Sequence, residues 1–343
     1  MTSIEEVARQ AGVSPSTVSR VARNQTNVST VTRERVQRVI TELKYIPNAV
    51  ARGLKQARSG LIALLITDIT SPFFTAVARG AEDAAREAGL SLLLGNSEED
   101  SDLEAKYLRV IGERRVDGVI LVPTNQAPNS LVRSLPPEIP IVLLDRSLPG
   151  FKADVVRCDT RTGTFVLGQH LLGLGHRRIA IVGGMPNIPT WPERVAGYQA
   201  ALRESGVAAP PEFVIPGDYN RDGGTEAVRV LLAQGERPDA IIAANAQVAL
   251  GVLDELVAAG CRVPEDVGVA TIDDPFPPSA FVPRLTLVEQ PGYGMGEAAV
   301  QLLVARLEPA GRAEPPREVV FEATLRIGTS CGETTIGHDD VMR

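Results

Sequence analysis

The sequence is poor in the residues that build disulfide frameworks, metal centres and membrane spans. Its 343 residues include three cysteines and three histidines, which lie far apart and lack the spacing of metal ligands. They are Cys158, Cys261, Cys331, His170, His176 and His338. No apolar run reaches 18 residues, and no apolar leader opens the chain. We therefore expect reduced thiols, no metal, no cofactor, a cytoplasmic location and no membrane partner.

The common catalytic motifs are absent as well. The chain contains no P-loop, no GxSxG, no HExxH and no GxGxxG after a predicted strand. The glycines of residues 292–296 (GYGMG) have the wrong spacing for a nucleotide loop, and we expect them to begin a helix that packs closely on its neighbour. Acidic residues are plentiful, but the sequence places no pair as general acid and base. It thus predicts no catalytic residues and a protein that is not an enzyme.

Charge divides the chain into two parts. Residues 1–58 contain ten Lys and Arg against four Asp and Glu, a net charge of +6, whereas the whole chain carries −7. A basic head on an acidic body is expected when one end contacts the phosphates of a nucleic acid. The hydrophobic content of 44% is enough for more than one buried core.

The stretch TSIEEVARQAGVSPSTVSRVAR near the amino terminus predicts two short helices joined by a tight turn. Ser3 is a good N-cap with Glu6 completing a capping box, and Gly12 suits the left-handed position that ends a helix. Ser14 then caps a second helix whose first residue is Pro15. Its valines turn inward, while its hydroxyls and guanidinium groups face outward. Such a pair is either a DNA-reading helix-turn-helix or a small amphipathic hairpin with a polar face.

A third helix over about residues 32–44 would close a small core. Its inward face is expected to carry Val36, Val39, Ile40 and Leu43. Asn48 could cap a further short helical turn. We therefore predict an all-α headpiece at residues 1–45 and a hinge helix or linker at 46–58.

From residue 60, short β-branched or Leu-rich runs alternate with amphipathic helices. The predicted strands are 61–66, 91–94, 118–122, 141–144, 179–182, 240–244 and 267–272. This alternation predicts an α/β fold with parallel sheets covered on both faces. Two such blocks in tandem predict two flavodoxin-like lobes with a cleft at the carboxyl ends of the strands.

We expect this body to span residues 59–331, followed by a polar tail at 332–343. The chain is expected to cross between the lobes more than once, so each lobe is discontinuous in sequence. The first lobe would comprise about 60–158 and 290–316, and the second about 159–289 and 317–330.

Polar and aromatic side chains follow the predicted strands and would meet in this cleft. The candidates from position alone are Asp68, Phe74, Asp145, Arg146, Arg194, Tyr219, Asn245, Asp273 and Gln290. Flat aromatic faces and bidentate hydrogen-bonding groups suit a polyhydroxylated ring. Other interpretations stay open: Asp145 and Arg146 could form an ion pair, and Phe74 could belong to the core.

Three motifs in register resemble the lactose-repressor/galactose-repressor (LacI/GalR) family of transcription regulators. They are EVARQAGVSPSTVSRV, NVSTVTRERV and YIPNAVARGL, and the likeness continues to about Cys331. The resemblance implies a helix-turn-helix head joined to a body with the fold of periplasmic sugar-binding proteins.

By position, the resemblance also implies which head residues contact DNA. Those expected at base edges are Pro15, Ser16 and Arg20, and those expected at phosphates are Ser14, Thr17, Ser19, Arg23, Ser29 and Thr32. A minor-groove hinge helix would use Asn48, Ala51 and Leu54, with Leu54 as a wedge between base pairs. Pro15 departs from the larger hydrogen-bonding residue of some relatives. For each Ser and Thr, the competing interpretation is a helix cap or a solvated hydroxyl.

In the body, the resemblance implies an effector pocket. Its expected lining is Phe73, Asp145, Arg194, Tyr219, Asn245, Asp273 and Gln290. Two departures bear on the ligand: Ala246 stands where the family often has Asp, and Thr271 and Ile272 stand where it usually has Gly and an aromatic residue. A sugar or sugar derivative is the leading interpretation, and a nucleoside or purine-like ligand stays open.

Together these observations predict a sequence-specific DNA-binding transcriptional regulator, a repressor, that binds a near-palindromic operator as a homodimer. A small effector between the lobes would change their angle and set the operator affinity, in a direction that the sequence leaves open. The alternative is a solute-binding protein or sugar-processing enzyme with an incidental helical head.

Overall fold

The computed structural model describes residues 3–22, 27–45, 59–124, 135–234, 237–275 and 283–332. Their packing divides the chain into two compact units, Met1–Ser59 and Gly60–Arg343. Within the described ranges, none of the helices combines enough length with enough apolar character to cross a bilayer.

The first unit packs helices α1 (Ile4–Ala11), α2 (Pro15–Ala22) and α3 (Thr30–Glu42) around one small core. Its buried side chains are Val7, Ala8, Ala11, Val18, Val21, Val36 and Val39, with Ile40 and Leu43 packed against them. The α-helical head and the predicted inward face of its third helix are therefore confirmed.

Local hydrogen bonds define where the first two helices begin and end. The Ser3 hydroxyl accepts from the backbone N–H of Glu6 at 3.3 Å, and Gly12 ends α1 in the left-handed region at φ 62°. The Ser14 hydroxyl accepts from the backbone N–H of Thr17 at 3.3 Å. The predicted caps are confirmed, but the carboxylate of Glu6 accepts from an arginine in the next turn, so the capping box is only half formed.

In its described residues, the second unit contains two six-stranded sheets. The first sheet, in spatial order, consists of β11 (Glu318–Phe321), β5 (Asp154–Cys158), β4 (Ile141–Leu144), β3 (Gly118–Leu121), β1 (Leu61–Ile66) and β2 (Ser91–Asn96). The second consists of β12 (Thr324–Arg326), β10 (Thr286–Glu289), β9 (Gly268–Ile272), β8 (Ala240–Ala243), β6 (Ile179–Val182) and β7 (Val214–Ile215). Neighbouring strands are parallel, except that β12 runs antiparallel to β10.

The two sheets repeat one strand order, since β5-β4-β3-β1-β2 corresponds to β10-β9-β8-β6-β7. Helices of the first lobe are α4 (Pro72–Glu87), α5 (Ser101–Glu113), α10 (Gly292–Leu307) and α11 (Pro309–Arg312). Those of the second are α6 (Thr160–Gly173), α7 (Thr190–Glu204), α8 (Arg221–Ala233) and α9 (Ala246–Ala258), with a 3-10 turn at Pro211–Phe213. Separate apolar clusters pack on both faces of each sheet. The predicted two-lobed, flavodoxin-like α/β fold is confirmed, and each predicted strand is present.

One expected lobe boundary is wrong. We expected the second lobe to resume at residue 317, but β11 pairs in parallel with β5 at the edge of the first sheet. After β11 the chain therefore returns to the second lobe between Phe321 and Thr324, later than expected. A short Val-Val-Phe run suits the edge of either sheet, so its pairing depends on which edge is free.

Glycines allow pairs of helices to pack with their backbones in contact. A Cβ atom built on Gly296 of α10 would lie 2.1 Å from the carbonyl oxygen of Val77 in α4, and one on Gly80 would lie 2.0 Å from that of Tyr293. In the second lobe, Gly197 and Gly251 face backbone carbonyls in the same way. The expectation that GYGMG begins a closely packed helix is confirmed.

We predict that Gly296→Ala lowers the free energy of unfolding by about 1–3 kcal/mol, because the added methyl group forces α4 and α10 apart. Urea unfolding monitored by circular dichroism measures this change. The matched control is Gly173→Ala in α6, where an added Cβ meets no atom within 4 Å. An equal effect of both substitutions would contradict the packing argument.

Candidate functional site

A cavity of about 770 Å³ lies between the two lobes of the second unit. All ten body residues singled out from the sequence line it: Asp68, Phe73, Phe74, Asp145, Arg146, Arg194, Tyr219, Asn245, Asp273 and Gln290. They come from loops and helix starts that follow strands, which in a parallel sheet all reach the same edge.

Two aspartates occupy equivalent places in the two lobes. Asp145 follows β4 and Asp273 follows β9, and both lie in the left-handed region at φ 68° and 63°. Their backbone N–H groups donate to the carbonyls of Val156 and Val288 on the neighbouring strands, at 2.8 and 2.9 Å. A left-handed backbone costs about 1–2 kcal/mol for a residue with a side chain, and such strain concentrates at functional sites. Both carboxylates line the cavity, so each lobe contributes one aspartate from an equivalent position in its sheet.

Asp273 forms a buried pair with Gln290. Its Oδ1 accepts from the backbone N–H of Gln290 at 2.9 Å, and its Oδ2 accepts from the side-chain Nε2 at 2.8 Å. Burial raises the pKa of Asp273 to about 6. The Gln290 Oε1 atom is buried and has no partner among the described residues. It is therefore available to accept from a hydroxyl or amine of a ligand.

Arg194 places a buried cation at the second-lobe wall of the cavity. It is 4% exposed, and its Nε–H has no hydrogen-bond partner among the described residues. Its guanidinium carbon lies 5.7 Å from the ring centroid of Tyr219, whose hydroxyl is 2.9 Å from the Thr190 hydroxyl. Helix α7 begins at Thr190, so Arg194 lies in its second turn. A buried unpaired N–H is expected to bind an acceptor oxygen of a ligand.

Two of the predicted residues use their polar atoms within the protein. The Asn245 Oδ1 accepts from the backbone N–H of Val248 at 2.8 Å, and its Nδ2 donates to the Tyr219 carbonyl at 3.0 Å. The Asp68 Oδ1 accepts from the backbone N–H and the hydroxyl of Thr70 at 2.8 and 2.6 Å. Both side chains therefore shape the cavity wall by holding its loops.

The competing interpretations of Arg146 and Phe74 both hold in part. Arg146 donates from Nε to Asp145 at 3.2 Å, so the ion pair exists, although both residues also line the cavity. Burial opposes the charged form of Arg146, but the neighbouring Glu99 and Asp145 raise its pKa above the usual value. Phe73 and Phe74 belong to the core of the first lobe, with ring centroids 4.9 Å apart, and they also line the cavity.

Sequence reasoning missed the loop after β2 and much of the hydroxyl lining. The missed residues are Thr67, Thr70, Glu98, Glu99, Asp100, Ser101, Met185, Thr190, Asp218, Asn220, Arg221, Asp222 and Gln247. The signal that could have found Glu98 and Glu99 is their position just beyond the end of β2, the same signal that identified Asp145 and Asp273. Both glutamates lie in the left-handed region at φ 55°.

Asp100 and Ser101 lie at the start of α5, where the sequence suggests a different N-cap from the one in the structure. Ser101 with Glu104 matches a capping-box pattern, but Asp100 caps the helix by accepting from the backbone N–H groups of Asp102 and Leu103 at 2.7 and 3.0 Å. Glu104 is instead fully buried and accepts from the Thr124 N–H at 2.7 Å. A carboxylate one turn into a helix can face either way, and the tertiary donor decides which.

No metal-binding group is found among the residues that the structure describes. Cys158 and Cys331 are buried and unpaired, and Cys261 is partly exposed and unpaired. Burial raises the pKa of Cys158 to about 12, so its thiol is unreactive near neutral pH.

In the first unit, α2 presents its predicted base-contacting residues to solvent: Pro15, Ser16 and Arg20 are exposed. The hydroxyl of Ser14 lies 2.8 Å from that of Ser16 and 2.9 Å from that of Thr17. Ser19 is half-buried. Several side chains therefore remain available at the start of α2 for a nucleic acid.

The predicted phosphate-contacting residues at α3 have local roles as well. The Ser29 hydroxyl accepts from the backbone N–H of Thr32 at 3.4 Å and so caps α3. Ser14 and Ser29 thus act as helix caps, which was the alternative to a DNA contact for each of these hydroxyls. The remaining predicted DNA contacts lie outside the described residues: Arg23, Asn48, Ala51 and Leu54.

Two family models match the chain: "Bacterial regulatory proteins, lacI family" over residues 3–48 and "Periplasmic binding protein-like domain" over residues 169–331. The ribose operon repressor of Escherichia coli (strain K12) is 35% identical over 308 residues, covering 90% of this chain and 93% of the repressor. The structure of the lac repressor dimer bound to operator and the anti-inducer ONPF has a TM-score of 0.82 at 26% identity, covering 97% of this chain and 99% of that chain. The complex of the transcriptional regulator CelR with cellobiose has a TM-score of 0.72 at 32% identity, covering 96% of this chain and 100% of that chain.

The raised pKa of Asp273 predicts a pH-dependent effect of Asp273→Asn. Because the native state holds this proton to about pH 6 and the unfolded chain releases it near pH 4, wild-type stability loses a contribution as the pH rises through that range. The variant cannot ionise, so its free energy of unfolding relative to wild type should rise by about 1–3 kcal/mol between pH 4 and pH 7.5. Urea unfolding at both pH values measures this, and a pH-independent difference would refute the assignment.

Proposed function

Because the chain belongs to the lacI family of bacterial regulatory proteins, we propose that it is a repressor that binds operator DNA with its first unit and a small effector with its second. The observation that carries this proposal is the buried Nε–H of Arg194, without a partner among the described residues, in a cavity of a chain that also has a helix-turn-helix head. The similar proteins are regulators, so neither the solute-binding nor the enzymatic alternative is retained. A regulator acts where the DNA lies, which is the cytoplasm of a bacterial cell.

Helix α2 is the DNA-reading element of this proposal. Arg20 is exposed on it and has the guanidinium geometry for a bidentate contact to a guanine in the major groove. The hydroxyls of Ser14, Ser16 and Thr17 cluster at its first turn, where hydroxyl and backbone donors position phosphates. Contacts from the hinge segment at 46–58, including the Leu54 wedge, rest on the family resemblance alone.

A homodimer follows from the size of the reading element, because one short helix reads only half of a near-palindromic operator. A groove between α4 and the edge strand β2 offers an apolar surface in the first lobe. Its apolar lining is Ile69, Ala78, Leu90, Leu92 and Leu94. We assign this groove to a second copy of the chain, in line with the dimeric lac repressor structure.

The effector that suits the cavity is a sugar or sugar derivative. Arg194 offers an unpaired donor and Gln290 an unpaired acceptor, and a sugar hydroxyl can meet either. The rings of Phe73 and Phe74 line the same cavity and suit the C–H face of a sugar ring. The similar regulator CelR was solved with cellobiose.

Closure of the cleft is the proposed route from effector to operator. Gln247 of the second lobe donates from Nε2 to the carbonyl and the hydroxyl of Thr70 in the first lobe, at 3.3 and 3.1 Å. A ligand held by both lobes adds to such bridges and favours one lobe angle over another. Coupling of this kind is typically about 1–3 kcal/mol.

We predict that Arg20→Ala loses about 1–3 kcal/mol of discrimination at one operator base pair. Fluorescence anisotropy measures it, using an operator selected from random duplexes by the wild-type protein and variants of that operator changed at single base pairs. Arg9→Ala is the matched control, because Arg9 is an exposed arginine of α1 in the same head. Equal losses on operator and random duplex for Arg20→Ala would count against base reading by α2.

We predict that Arg194→Ala abolishes the effect of sugar on operator affinity while operator binding itself persists. The variant removes a charged donor worth about 1.5–3 kcal/mol, or at least ten-fold in sugar affinity. The measurement is anisotropy on operator DNA with a panel of sugars that includes D-ribose and D-cellobiose. Arg203→Ala, an exposed arginine of the same helix, should respond like wild type. An undiminished sugar response in Arg194→Ala would exclude the proposed contact.

A further inference from the structure

The charges around the inter-lobe cavity are strongly unequal. Among the described residues that line it, eight are aspartates or glutamates and three are arginines. A surplus of carboxylates repels an anionic ligand over the width of the cleft. Whether an anion could still bind depends on whether any of the three guanidinium groups is free to receive it.

Arg146 is already occupied by a carboxylate of the chain. Its two terminal nitrogens donate to the two carboxylate oxygens of Glu99, both at 2.9 Å, while its Nε donates to Asp145. The arginine is 5% exposed and the Glu99 side chain 13%. This fork-to-fork geometry is the one in which arginine binds the phosphate or carboxylate group of a ligand.

The other two arginines of the cavity, Arg221 and Arg194, do not offer an anion the site that Arg146 would have offered. Arg221 is largely exposed and pairs with Asp254. Arg194 is buried and keeps an unpaired Nε–H among the described residues, but Asp273 lies close enough to interact with its charge, so an anion bound there would also be repelled by that carboxylate. A phosphate group would therefore meet no guanidinium without an acidic neighbour in this cavity.

The loop that carries Glu99 is shaped to hold it in this position. Glu98 and Glu99 are consecutive residues in the left-handed region, and Asp100 directly after them caps α5. Two such residues in a row are unfavourable unless the surrounding structure holds them. Here Arg146 and the start of α5 provide that support from both sides.

We propose that Glu99 acts as an internal carboxylate ligand of Arg146 and thereby makes the cleft selective for uncharged polyhydroxylated effectors over phosphate esters and sugar acids. The inference rests on the proposed function, since it specifies the effector class of the same cavity. An anionic ligand must either displace Glu99 from a buried ion pair or bind at Arg194, next to Asp273 and among the surplus carboxylates. Neutral hydroxyls meet neither obstacle.

The test uses the full-length protein and its single tryptophan, Trp191, which packs in one cluster with Tyr219 beside the cavity. Trp191 fluorescence is titrated with inorganic phosphate, D-ribose 5-phosphate and D-ribose. The variant Glu99→Gln removes the charge opposite Arg146. The matched control Glu98→Gln removes the same charge from the neighbouring residue, which is exposed on the same loop and lines the same cavity.

We expect Glu99→Gln to bind inorganic phosphate at least ten-fold more tightly than wild type, and Glu98→Gln to gain clearly less, because it removes the same charge from the cavity but no partner of Arg146. Adding Arg146→Gln to Glu99→Gln should abolish the gain. The proposal is overturned if Glu99→Gln gains nothing, if both single variants gain equally, or if wild type binds D-ribose 5-phosphate at least as tightly as D-ribose. If Glu99→Gln does not fold, the comparison of D-ribose 5-phosphate with D-ribose on the wild-type protein still tests the proposal. Loss of operator binding, or sugars without effect on it, would refute the proposed function and leave the phosphate comparison intact.

Discussion

Parallel strands buried on both faces concentrate polar side chains at the strand ends, and the second unit is organised by this constraint. Apolar clusters cover both faces of each sheet, so the side chains in the middle of the central strands serve mainly in packing. The carboxyl ends of β1, β2 and β4 face those of the equivalent strands in the second lobe across one cavity. The charged and hydroxylated residues that follow these strands therefore converge without being close in sequence.

The charged groups in that cavity are positioned by ion pairs and hydrogen bonds to one another and by a left-handed backbone. Asp145 and Asp273 are left-handed at equivalent positions, and Glu99 is left-handed opposite Arg146. Burial makes each of these carboxylates costly unless it is paired or hydrogen-bonded. Pairing accounts for Glu99 and Asp145 through Arg146 and for Asp273 through Gln290, which leaves the unpaired atoms of Arg194 and Gln290 to a ligand.

Close helix packing gives each lobe the stiffness that a cleft-based regulator needs. Gly296 lets α10 rest on the backbone of α4, and Gly251 does the same for α9 and α8 in the second lobe. The lobes are joined by chain crossings after β5, after β10 and after β11, and a Thr70–Gln247 bridge spans the cleft. A ligand between two stiff bodies with few connections is expected to change their angle more than their internal structure.

The sequence by itself determined most of the elements and the kind of residues at the site. Apolar runs located seven of the twelve strands of the described residues, and caps located the helices of the head, whereas the strands β5, β7, β10, β11 and β12 were not predicted. The rule that ligand groups follow parallel strands brought Arg194, Asp273 and Gln290 into the set. These signals are local, because each depends on a few neighbouring residues and on the common direction of parallel strands.

Only the tertiary structure decided which groups pair, because pairing depends on donors distant in the chain. It joined β11 to the first sheet, and it turned Glu104 inward to Thr124 while Asp100 became the cap. It also brought Glu99 onto Arg146, 47 positions further along the chain. Residue type shows that a carboxylate and a guanidinium are present, but whether they face a ligand or each other depends on how the two loops meet in three dimensions.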